Sequence, residues 1–71
     1  MLKKDDDAYK RIAVEAAELK TKVTKLEIFV TRARKGEVDN ITLHEIHMLE
    51  EQLHYMRGYL RILNQRLASV T

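Results

Sequence analysis

The chain has 71 residues, 13 lysines and arginines against 11 aspartates and glutamates, and no cysteine. That length bounds it to one small domain, and the missing thiols exclude disulfides and thiolate metal sites. A net charge of +2 spread over 34% charged residues lacks the dense basic footprint of a general nucleic-acid binder, so no DNA partner is expected.

The first element is helical by its spacing. Ile12, Ala16, Leu19, Val23, Leu26, Val30 and Ala33 alternate steps of four and three, which marks one apolar stripe of a helix. Asp5, Asp6 and Asp7 supply cap oxygens and negative charge for its start. Arg32, Arg34 and Lys35 suit its end, and Gly36 can take the left-handed turn after it. These signals predict helix 1 over about residues 6–35.

A polar loop over about 36–42 follows. Thr42 and Glu45 then match the capping box, in which a hydroxyl and a carboxylate satisfy each other's backbone N–H groups. Helix 2 is predicted over about 43–70. Its stripe, Ile46, Leu49, Leu53, Met56, Leu60, Leu63, Leu67 and Val70, steps by three and four without a break. With no proline and only two glycines, nothing interrupts either helix.

Two long helices joined by a short loop pack as antiparallel neighbours. The fold class is therefore all-α, an antiparallel hairpin with coiled-coil-like seams. Pairing across the loop is expected to set Arg66 near Arg11 and Glu15, Tyr59 near Glu18, and Gln52 near Lys25. Helix 2 carries a second stripe, Met48, Tyr55 and Ile62, at seven-residue spacing. If the apolar seam takes heptad positions a and d, this stripe lies at c, and Glu45, Gln52, Tyr59 and Arg66 fill the g row between. Phe29 flanks the seam of helix 1, with Val14 and Ile28 on its far side. A face this wide suits more than one neighbour, so a multi-helix bundle is expected, a homo-oligomer of two or four chains. A small core without disulfides points the same way.

No apolar run nears the ~20 residues of a transmembrane helix, and MLKKDDDAYK has no signal-peptide core. A cytoplasmic protein without a membrane partner is expected. Glu51 and His54 form an E-x-x-H string, the helical motif of carboxylate metal bundles, but the seam turns both towards solvent at f and b. His44 and His47 face the same way. No metal and no cofactor are expected.

No nucleophile–base pair converges, a single hairpin is not expected to form a concave pocket, and no catalytic residues are assigned. Ligand binding between subunits uses other groups. Tyr9, Tyr55 and Tyr59 offer rings for bases, and Lys10, Arg11 and Arg66 offer charge for phosphates. Alternatively, Tyr55 and Tyr59 pack an interface and the arginines are solvated or paired with Glu15 and Glu18. RNA binding ranks lower because the basic rows are interrupted by Glu18. A partner-helix adaptor fits the seams equally.

The stretches ELKTKVTKLEIFV and LHEIHMLEEQLHYMRGYLRILNQRL resemble small helical-hairpin proteins of crAss-like and other tailed phages. The shared pattern falls on Lys25, Leu26, Phe29, Leu49, Gln52, Leu53, Met56, Tyr59, Leu63, Arg66 and Leu67, within residues 18–67. Lys25, Gln52, Tyr59 and Arg66 match without packing demanding it. The loop departs from the pattern, with KGEVDNIT in place of a shorter serine-rich link. Such hairpins are similar to anti-CBASS sponges. The resemblance implies immune evasion in an infected bacterial cell, by an oligomer that holds a cyclic dinucleotide or trinucleotide such as 3′,3′-cGAMP between subunits without cleaving it.

Overall fold

The computed structural model describes residues 2–70, with side chains described for residues 7–69. Two helices account for nearly all of it: α1 over Leu2–Arg34 and α2 over Leu43–Val70. They pack against each other as an elongated rod of 52 × 14 × 13 Å. No helix among the described residues is long and apolar enough to cross a membrane.

Helix α1 starts four residues earlier than its acidic cap signal suggests. Leu2, Lys3 and Lys4 are good helix formers, and the helix runs through Asp5, Asp6 and Asp7 instead of beginning at them. The aspartates therefore stand in the first two turns, where the helix dipole still favours negative charge. The side chains of Asp5 and Asp6 lie outside the described residues, and Asp7 is exposed.

The C-terminus of α1 follows its sequence signals. Gly36 has φ of 77°, and the Gly36 and Glu37 N–H groups donate to the carbonyls of Ala33 (3.1 Å) and Arg32 (2.9 Å). That double closure is the Schellman motif, which satisfies carbonyls the helix leaves open. A Cβ at Gly36 would meet nothing within 4 Å, so only backbone strain opposes a side chain there. Gly36→Ala is expected to destabilise the fold by about 1–2 kcal/mol, the cost of a left-handed L-residue. A chemical melt checks this, and Gly36→Asn should lose less. At α2 the capping box forms in full: the Thr42 N–H donates to Glu45 Oε1 (2.8 Å), and the Glu45 N–H donates to Thr42 Oγ1 (3.1 Å).

Among the described residues, the seven buried hydrophobic ones belong to the two predicted seams: Ala16, Val23, Val30 and Ala33 on α1, and Ile46, Leu53 and Leu63 on α2. The other described seam positions are half-buried. Helix direction is fixed by side-chain pairs on both flanks of the seam. On one flank, Arg34 donates from Nε (2.8 Å) and a terminal nitrogen (2.6 Å) to the two oxygens of Glu50, and Arg57 Nε donates to Glu27 (3.0 Å). On the other flank, the Tyr59 hydroxyl donates to Glu15. These pairs run oppositely along the chain, so the helices are antiparallel. They straddle a register that sets Ala16 level with Leu63 and Val23 level with Met56. Surface pairs of this kind add little stability and mainly select register.

One expectation about pairing changes. Tyr59 meets Glu15, one turn nearer the N-terminus than Glu18. Residues facing each other across an antiparallel seam are offset when they sit on its flank, and the simple level-with-level pairing overlooked that offset. Arg57 is held in the hairpin by Glu27.

Candidate functional site

The helix flank that carries Tyr59 opens into a groove of about 1010 Å³. Its position follows from the g rows of both helices. Phe29 from α1 and Gln52 and Tyr59 from α2 stand beside the seam, Tyr55 of the c row lies outside them, and Leu19 and Met56 from the seam itself form the floor. The loop closes one end with Val38 and Ile41, both half-buried. A single hairpin thus makes a concave apolar surface, contrary to the expectation from size alone. Long g-row side chains stand up from the seam like a wall, and the folded-back loop supplies the end.

The groove's polar groups are few and directional. Gln52 Nε2 lies 3.9 Å from Met56 Sδ, which holds the amide along the floor. Tyr59 is fixed at its hydroxyl by Glu15, leaving its ring, 44% exposed, as part of the wall. Tyr55 is 67% exposed and contacts the edge of His54, with ring centroids 5.5 Å apart. The charged residues that line the groove are Asp39, Glu45 and Glu51, all acidic.

Of the sequence-predicted ligand residues, the groove brings together Tyr55 and Tyr59. Lys10 and Arg11 instead line a separate shallow hollow with Val14, Glu15 and Glu18. Tyr9, 37% exposed, stands level with the end of α2, ~16 Å along the axis from Tyr59 at 1.5 Å per residue. Arg66 is exposed on the same flank as Tyr59, and its charge acts on the Tyr59 hydroxyl. Glu15 links the two regions, since it accepts from Tyr59 and lines the Lys10 hollow. Sequence reasoning named Phe29 as a flanking residue but missed Val38 and Ile41. Two apolar positions within the polar GEVDNI were the available signal.

Glu51, His54, His44 and His47 are exposed. Among the described residues, no three histidine, aspartate or glutamate side chains converge as metal ligands would.

Among the described residues four groups titrate away from their usual ranges, one of them Arg34, which its hydrogen bond to Glu50 pushes up. Hydrogen bonds from the Thr42 backbone and hydroxyl hold Glu45 low, and the hydrogen bond from Arg34 holds Glu50 low. The hydrogen bond to Glu15 pushes Tyr59 up. Below the usual carboxylate range the unfolded chain takes up protons before Glu45 and Glu50 do, so stability falls as pH drops. Tyr59 keeps its proton longer when folded, so its contribution is present below the ordinary tyrosine value and lost as pH rises past it. The melting temperature should fall from about pH 4 downward and from about pH 10 upward. Glu50→Gln should flatten the acid limb.

No curated protein and no solved structure matches the chain. A sequence model of one family matches residues 6–69, which takes in most of both helices and every groove residue. The chain therefore belongs to the Sequestin family, whose name points to sequestration of a ligand.

Proposed function

We propose that the protein is a non-catalytic sponge that captures a cyclic oligonucleotide second messenger, of the kind represented by 3′,3′-cGAMP, in an infected bacterial cell. The observation that carries this reading is the aromatic groove of Phe29, Tyr55 and Tyr59 in a chain of the Sequestin family. A groove of about 1010 Å³ lies at the upper end of small-molecule sites, which run to about 1,000 Å³. Aromatic walls take any base by its π face, a mode of binding that tolerates different bases. The chemistry is capture: the groove holds a ring-lined apolar floor, the amides of Asn40 and Gln52 and the carboxylates of Asp39, Glu45 and Glu51, and no nucleophile paired with a base. Lys10, Arg11 and Arg66 are the cations nearest in kind to what phosphates need, although none of them lines the groove of its own chain.

Thermal shift against a panel of cyclic dinucleotides and trinucleotides tests the proposal. A ligand that binds only the folded state raises the melting temperature, by about 2.7 kcal/mol of added stability at a hundredfold excess over Kd. A rise with at least one member supports the sponge. No rise with any of them contradicts it. The exposed stripe of Met48, Tyr55 and Ile62 favours a second reading, an adaptor that docks a partner protein's helix. A protein silent to every nucleotide would leave that reading standing.

A further inference from the structure

Helix α2 divides into two halves of opposite charge. Residues 43–54 hold Glu45, Glu50 and Glu51 and no lysine or arginine, while residues 55–70 hold Arg57, Arg61 and Arg66 and no acid. Its outward rows mirror this about their middle. In the g row, Glu45 and Gln52 precede Tyr59 and Arg66; in the c row, Met48 and Ile62 lie equally far from Tyr55. These two rows alternate at steps of three and four, which is a second seam on the same helix. Its apolar members are open to solvent, at 57% for Met48, 67% for Tyr55 and 48% for Ile62.

We infer that a second copy of the chain covers this face, with the two α2 helices antiparallel about a two-fold axis near Tyr55, so that the partner's Arg66 completes the groove. Rotation about that axis sets Tyr55 beside its own copy and Met48 level with the partner's Ile62. It lays Glu45 and Glu51 of each α2 towards Arg61 and Arg66 of the other, whereas a parallel pair would stack like charges; Glu50 and Arg57 stay on the opposite flank with Arg34 and Glu27. The same rotation brings the partner's Arg61 and Arg66 to the end of the groove lined by Asp39, Glu45 and Glu51, which no cation of its own chain lines. Among the described residues, the side chains of Arg61 and Arg66 make no hydrogen bond or ion pair within the hairpin, so both are available.

The exposed area supports a covered face. The chain exposes 5814 Å², whereas a compact monomer of 8.4 kDa exposes about 4,600 Å². The excess is larger than the about 800 Å² that each partner contributes to a standard interface. The partner does not fill the trough. It walls the c side and leaves the floor between Phe29 and Met56 open, so the groove becomes a pocket between two hairpins. Its use by a nucleotide rests on the proposed function; the dimer itself does not.

Disulfide trapping tests the pairing, because the chain has no cysteine of its own. Tyr55→Cys should link to its own copy under mild oxidation, giving a species of twice 8.4 kDa. Met48→Cys and Ile62→Cys should each stay unlinked when alone, since each lies ~21 Å along the axis from its own copy, beyond the reach of a disulfide. A mixture of those two variants should link. Thr21→Cys, on the far side of α1, should not. Linking of Met48→Cys to itself would overturn the antiparallel pairing. Absence of any link with both Tyr55→Cys and the mixture would overturn the interface. Neither result depends on nucleotide, so failure here and failure of the sponge reading are separable.

Discussion

Leu63→Ala is expected to cost about 3 kcal/mol of folding stability, within the about 2–5 kcal/mol seen for buried leucine truncations. Leu63 is the one residue among those described whose side chain is fully buried, at 0% exposure. It sits midway along the open half of the seam, level with Ala16, whose small side chain cannot swing in to fill the space. A domain of this size has about 4–10 kcal/mol of stability in total, so the variant should lose a large share of it and shift its urea midpoint strongly. Gln65→Ala, two positions on and exposed, should change stability by less than about 0.5 kcal/mol. Both must be compared at one protein concentration, because self-association makes stability depend on it. Equal midpoints for the two variants would mean that the seam is not the core.

Tyr59→Ala should weaken nucleotide binding by about 5- to 150-fold, the equivalent of the about 1–3 kcal/mol that one base gains by stacking on an aromatic ring. Its ring forms the groove wall, and its hydroxyl is already committed to Glu15. Tyr59→Phe keeps the ring and gives up that hydrogen bond. It should therefore retain most of the affinity while losing the alkaline limb of the stability profile. Calorimetric titration separates these outcomes. A Tyr59→Phe variant as weak as Tyr59→Ala would show that the hydroxyl, not the ring, meets the ligand. The Glu15 contact would then have to open on binding.

The fold was legible because its determinants are local and periodic. The steps of three and four gave both seams, and burial follows them residue by residue from Ala16 to Leu63. Gly36 and the Thr42–Glu45 box bound the loop on its two sides, since each is a backbone requirement with few solutions. The start of α1 was less legible. Acidic residues stabilise both a cap and a first turn, so Asp5–Asp7 could not say which they occupied.

The groove was half legible. Gln52 and Tyr59 stood out in the sequence as matches that packing does not require, and both line it. Tyr9, Lys10 and Arg11 offer the same kinds of group but lie at the open end of the hairpin. The rod is long, however, and chain ends that share a face still lie several turns from its middle. Val38 and Ile41 were lost in a loop read as polar. Which way a short loop folds back depends on the φ values of Gly36 and Asn40, 77° and 57°, and hydropathy does not carry that information.

Charge asymmetry along α2 explains why a sponge would need two copies. Each chain offers rings and an apolar floor at the loop end, and its free arginines at the other end. An antiparallel pair unites the two kinds of group twice over. Affinity and assembly are then coupled, and a nucleotide should tighten the dimer by the same factor by which the dimer tightens nucleotide binding.

Capture followed by recovery tests sequestration most directly. The protein, in excess, is incubated with 3′,3′-cGAMP or another member of the cyclic nucleotide panel, free nucleotide is measured after ultrafiltration, and the retained fraction is heated to unfold the protein. A sponge depletes the free nucleotide in proportion to protein added and releases it chemically unchanged on unfolding. Nucleotide that stays free across the whole panel, or that returns as a cleaved product, would contradict the account.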